Sequence, residues 1–83
     1  MIDHEKTIKK LNVEITYNNH QRALFYNATL HYVHFTYRNQ KYVYSASNLG
    51  SYILSKNVNN EDAIICSTKN YQKMENAILG LGN

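Results

Sequence analysis

The chain has 83 residues, no proline, three glycines, one cysteine and a formal net charge of +3. That length suits a single domain over residues 1–83 with a small core, and a lone cysteine excludes an internal disulfide framework. The first residues carry neither the basic nor the apolar region of a signal peptide, and no apolar run approaches the roughly 20 residues of a membrane helix, so a cytoplasmic protein without a membrane partner is expected.

Taken in order, residues 3–10 suit a short helix with Asp3 as its N-cap. Leu11, Val13, Ile15 and Tyr17 then alternate with Asn12, Glu14 and Thr16, the pattern of a half-buried strand, and residues 18–21 read as the turn that ends it. Residues 22–26 favour a returning strand that sets Leu24 against Ile15 and Tyr26 against Val13. Its core face is even-numbered, whereas the next strand's is odd-numbered. A β-bulge or break within residues 27–32 is therefore expected.

Residues 28–47, with Tyr32, Tyr37, Tyr42 and Tyr44, form the expected centre of the sheet. A turn over residues 38–41 would place Tyr37 against Tyr42, Phe35 against Tyr44 and Val33 against Ala46 on one side. On the other side lie Tyr32, His34 and Thr36 with Val43, Ser45 and Ser47, a more polar set, because strand side chains alternate with period two. One face is core and the other is available.

Beyond Ser47, Leu49, Tyr52 and Ile53 recur at helical spacing behind Ser47 or Asn48 as cap, so a short helix is expected, followed by a loop over residues 57–62. Residues 63–67 read as a fully buried strand, with Cys66 an inert interior thiol. Thr68 then caps a last helix in which Tyr71, Met74, Ile78 and Leu81 share a stripe, and Gly80 and Gly82 supply the stop. The fold class is α+β: a single antiparallel sheet of about four strands with one or two short helices packed on one face.

No residue set suggests catalysis. His31 and His34 are three apart on a strand and point to opposite faces, so they cannot chelate one ion, and neither a metal nor a cofactor nor an enzymatic activity is expected. Charge says more. Residues 15–60 contain no Asp or Glu but hold Arg22, Arg38, Lys41 and Lys56, so the sheet is expected to be free of carboxylates. Positive potential beside aromatic rings suits an anionic partner, although strand-forming tyrosines also serve to close a core.

The run Tyr42-Val43-Tyr44-Ser45-Ala46-Ser47, leading from a hairpin into a short helix, resembles small phage-encoded anti-defence proteins, including anti-CRISPR inhibitors of Cas nucleases. The heavy use of Lys, Asn, Ile and Tyr, all with AT-rich codons, suits a phage or mobile element. In charge the chain departs from the inhibitors that imitate DNA with acidic surfaces. The resemblance implies a non-enzymatic protein that inhibits a host defence protein, with a Cas nuclease or its nucleic-acid complex as candidate target. Tyr and Arg are favoured interface anchors, and Tyr32, His34, Arg38 and Lys41, from the polar face and tip of the hairpin, are the expected partner-binding residues. The alternative is nucleic-acid or nucleotide binding through the basic, tyrosine-rich sheet face. A homodimer would use the last helix or an edge strand.

Overall fold

The structure is a computed structural model that describes residues 4–22 and 29–82, with side chains at all of these positions except 17–22. Five antiparallel strands, β1 (Glu14–Arg22), β2 (Thr29–Tyr37), β3 (Gln40–Ser47), β4 (Tyr52–Val58) and β5 (Glu61–Thr68), lie side by side in chain order in one sheet. A short helix α1 (Lys6–Lys9) precedes them and α2 (Tyr71–Gly80) follows. Ile8 of α1 and Met74 and Ile78 of α2 join Val33, Phe35, Tyr44, Ala46, Tyr52 and Leu54 in one buried cluster. The expected α+β class is found, with five strands rather than about four.

The β2–β3 hairpin has the expected faces on a tighter turn. Arg38 (φ 50°) and Asn39 (φ 64°) are both left-handed, the signature of a two-residue turn whose twist matches that of the strands. The pairs are therefore Phe35 with Tyr42 and Val33 with Tyr44, two residues away from the expected register. An even shift leaves every side chain on its own face, which is why the inward set survives the correction. Phe35 and Tyr42 stack with ring centroids 5.3 Å apart.

The turn expected over residues 18–21 is strand instead. β2 offers a continuous ladder as far as Thr29, which pairs with Arg22, and this tertiary pairing overrides the weak turn preference of asparagine. Beyond Arg22, the returning strand expected over residues 22–26 lies outside the described residues. No bulge interrupts β2 over residues 29–32, and residues 27–28 lie outside the described residues; the register shift between β1 and β2 is instead a bulge at Thr16, between the pairs Ile15–Phe35 and Tyr17–His34.

The helix expected around Leu49, Tyr52 and Ile53 is replaced by the β3–β4 connection and β4. Ser47 Oγ does accept from the Leu49 N–H at 3.0 Å, as a helix cap would. However, the Ser47 N–H donates to the Ser51 carbonyl at 2.8 Å and Gly50 takes φ 92°, which turns the chain back. Tyr52 and Leu54 are then buried in alternation, so period two prevails over an apparent helical spacing of three residues. The loop expected over residues 57–62 shrinks to Asn59 and Asn60, both left-handed, with strand on either side.

β5 is a strand but an exposed sheet edge rather than a buried one: Ile64 is 66% and Ile65 42% exposed, and Cys66 is half-buried. A bulge at Ile65 separates the pairs Leu54–Cys66 and Ser55–Ile64. The last helix carries the expected stripe, with Met74 and Ile78 buried and Tyr71 and Leu81 packed at the core's margin. Full burial of such side chains contributes about 1.5–3 kcal/mol each. Its cap is Asn70, not Thr68: the Asn70 Oδ1 accepts from the N–H groups of Gln72 and Lys73 at 2.9 and 3.3 Å, while Thr68 Oγ1 accepts from the Asn70 N–H. At α1 the N-cap position is Glu5, without a side-chain cap bond, and Asp3 lies outside the described residues.

Candidate functional site

Both helices pack on the inward face of the sheet, and no described element covers the other face. Three rows of paired residues cross it between the Leu30–Ser47 pair at one end and the hairpin turns at the other. One runs Tyr32, Ser45, Ile53, Ser67; the next runs His34, Val43, Ser55, Ile64. The third, at the turn end, holds Glu14, Thr36 and Lys41 and continues level with Asn57 and Asp62. The middle of the face is apolar and hydroxylated, and among the described side chains Lys, Arg, Asp and Glu are confined to the third row.

A cleft of about 500 Å³ opens at that end, lined among others by His34, Thr36, Lys41, Asn57, Asn60 and Asp62. Its walls are fixed by hydrogen bonds. The Thr16 hydroxyl donates to the His34 carbonyl at 3.1 Å, tying the bulged part of β1 to β2. The Gln40 side-chain amide donates to the Asn57 carbonyl, and the Asn57 amide donates to Asp62 Oδ1 at 3.3 Å. Ser55 is buried, and its hydroxyl donates to the Val43 carbonyl at 3.4 Å. The cleft thus presents an imidazole, an ammonium and a carboxylate around small polar groups. No group of three or more His, Cys, Asp or Glu that could hold a metal ion occurs among the described residues.

Of the expected partner-binding residues, the structure brings three together: Tyr32 and His34 are half-buried on the uncovered face, and Lys41 is exposed on it. Arg38 is at the hairpin tip, as expected, but its side chain turns to the other side. It occupies the hairpin turn, with its guanidinium 5.0 Å from the centroid of the Tyr37 ring, which belongs to the opposite side. The expectation of a carboxylate-free sheet is overturned, because Glu14 belongs to β1 and Glu61 and Asp62 to β5. Ile53, Asn57, Asp62 and Ile64 were absent from the sequence reading of this face. The missed signal is Asn59-Asn60: two left-handed asparagines make a two-residue turn and so align β4 with β5.

A second polar group lies on the inward side. His4 Nδ1 and the Tyr44 hydroxyl are hydrogen-bonded at 2.7 Å, the His31 ring sits 4.9 Å from that of His4, and the hydroxyls of Thr7 and Tyr71 are 3.3 Å apart. Burial, with the neighbouring Tyr71 and Tyr52 adding to it, raises the Tyr44 phenol far above its ordinary value of 10.0 and keeps it neutral. Tyr44 is itself fully buried, so this cluster ties the segment before β1 to the sheet and is an interior device. As alternation requires, His31 and His34 lie on opposite sides.

No helix among the described residues is long and apolar enough to cross a membrane. Comparison with protein families, with curated proteins and with solved structures finds no match to this chain.

Proposed function

We propose that this chain is a non-enzymatic binding protein of phage or mobile-element type that acts in the host cytoplasm, and that it inhibits a host defence protein, a Cas nuclease being the candidate, by docking on its surface. The observation that carries the reading is the β2 side of the uncovered sheet face, where the rings of Tyr32 and His34 stand two residues apart on the same side. Apolar and aromatic side chains on an uncovered face are the usual mark of a protein partner. The charges favour a protein over phosphates. Lys41 is the sole cation among the described side chains of these rows, and Glu14 and Asp62 share its row.

The test is capture from bacterial lysate by the tagged chain, with nuclease digestion and a high-salt wash, followed by assay of the captured protein's activity. A stoichiometric protein partner should survive both treatments, lose activity when bound, and be lost with Tyr32→Ala combined with His34→Ala while circular dichroism stays unchanged. Recovery of nucleic acid, with capture that falls steeply as salt rises, would replace this reading by the nucleic-acid one.

A further inference from the structure

We propose that the uncovered face of β3, β4 and β5 is an interface between two copies of this chain, packed face to face about a two-fold axis that runs along β4. The inference goes beyond the partner reading and does not depend on it. It starts from a symmetry in the three rows. Across β4, the residues on β3 and β5 are Lys41 and Asp62 in the first row, Val43 and Ile64 in the second, and Ser45 and Ser67 in the third. These are opposite charges, two apolar side chains, and two identical small ones.

A rotation of 180° about an axis parallel to β4, lying between two stacked sheets, exchanges β3 with β5 and keeps every row at its own height. Lys41 then meets Asp62 of the second copy, and Asp62 meets its Lys41. Val43 and Ile64 meet each other twice, Ile53 meets itself on the axis, and the serines let the sheets approach. Such an interface is isologous, each contact occurring twice. Sheets stacked in this way sit about 10 Å apart with strand directions within roughly 30° of each other, a gap that the long Lys41 and short Asp62 side chains together span. An axis at right angles to the strands would set Lys41 over the end of the sheet that carries Leu30 and Ser47, with no carboxylate to meet among the described residues.

Within one chain Lys41 and Asp62 stand two strands apart, roughly 10 Å, with Asn57 between them. Neither is in an ion pair with a described residue; Asp62 accepts only from Asn57. Ile64 is 66% exposed on the same face. A second copy satisfies all three at once, and a different protein would have to mirror this chain's own two-fold pattern to do as well.

The face is preferred to the surfaces the sequence suggested for a dimer. The stripe of α2 is already consumed by the core, and the bulge at Ile65 breaks the ladder along the free edge of β5, which disfavours edge-to-edge pairing. With the axis on β4, the overlap ends at β3, so Tyr32 and His34 on β2 stay on the rim and are presented twice.

Sedimentation equilibrium of the full chain at micromolar concentrations tests this. The expected mass is twice 9.7 kDa. Lys41→Asp and Asp62→Lys should each weaken the dimer by at least about tenfold, because each sets two pairs of like charges against one another. The combination of both restores opposite charges and should restore the dimer. Ile64→Lys, at an exposed position, should also yield the monomer with an unchanged circular dichroism spectrum. A wild-type chain that stays at 9.7 kDa, single variants that dimerise normally, or a double variant no tighter than the singles would each overturn the proposal. Tyr32→Ala with His34→Ala should leave the dimer mass unchanged whatever happens to partner capture, so the two readings fail separately.

Discussion

Leu54 and Ile53 are neighbours in β4 and differ in everything that follows from the direction in which they point. On the inward face Leu54 joins Val33, Phe35 and Tyr44 under Ile8, Met74 and Ile78, and all seven are buried. On the outward face Ile53 lies among Tyr32, Val43, Ser45 and Ile64 with no described element above it. An antiparallel sheet commonly buries one face and leaves the other polar. Here the outer face keeps large apolar side chains that contribute nothing to the chain's own core, and that surplus is what points to association.

The largest effect expected from this contrast comes from alanine at the two neighbours. Leu54→Ala should lower the unfolding free energy by about 2–5 kcal/mol through lost burial and a cavity, whereas Ile53→Ala should cost about 1 kcal/mol or less. Urea denaturation in a Lys41→Asp background, which keeps the second copy out of the measurement, checks both. Equal losses would mean that the two faces do not differ as described.

Next comes Tyr44→Phe, which keeps the core's volume but removes the hydrogen bond to His4 and should cost about 1 kcal/mol at neutral pH. The pH dependence has a definite sign. The phenol is held neutral above its ordinary 10.0 in the fold, so above that pH the unfolded chain binds fewer protons and stability falls. Urea midpoints measured from neutral to alkaline pH should fall less steeply in Tyr44→Phe than in the parent chain. An identical slope would remove Tyr44 as the buried neutral group.

Asn70→Ala tests whether the covering helix is held from its start. Loss of the acceptor for the Gln72 and Lys73 N–H groups should cost about 1 kcal/mol in thermal or urea unfolding. Thr68→Ala should cost less, since its hydroxyl accepts only from the Asn70 N–H. The reverse order would return the cap to Thr68.

The smallest change should be a gain. Arg38→Asn combined with Asn39→Gly places the preferred pair in a turn whose two residues are both left-handed, and should stabilise the hairpin by about 0.5–1 kcal/mol. A loss of stability would instead favour the longer turn over residues 38–41. The same variant would leave partner capture intact if Arg38, stacked on Tyr37 away from the outer face, takes no part in binding.

Much of the inward set was readable from alternation: Val33, Phe35, Tyr44 and Ala46 are buried on one face, and the 71–81 stripe meets the same core. Of the four residues expected to bind a partner, Tyr32, His34 and Lys41 share a surface for the same reason. Arg38 is at the hairpin tip as expected, but the side its chain takes was not readable, because a turn residue has no face until the turn's length is known. The β4 and β5 contributions were missed because Ser47 makes a helix-like cap bond within a reversing loop, and because Ala63, Ile64 and Ile65 look buried although the strand is at an edge.

By itself, then, the sequence determined which residues of β2, β3 and α2 turn inward and that one sheet face would be more polar than the other. Side-chain period belongs to the local backbone, and a hairpin can slip by two residues without disturbing it. Only the tertiary structure decided that residues 18–22 continue β1, that residues 52–58 form a strand, that β5 lies at the margin, and which residues on neighbouring strands fall into one row. Those outcomes depend on which ladder of N–H and C=O groups each segment finds, and that partner is supplied by residues distant in the chain. The near-symmetry of Lys41, Val43 and Ser45 with Asp62, Ile64 and Ser67 about β4 appears only once both turns and the Ile65 bulge have set the register.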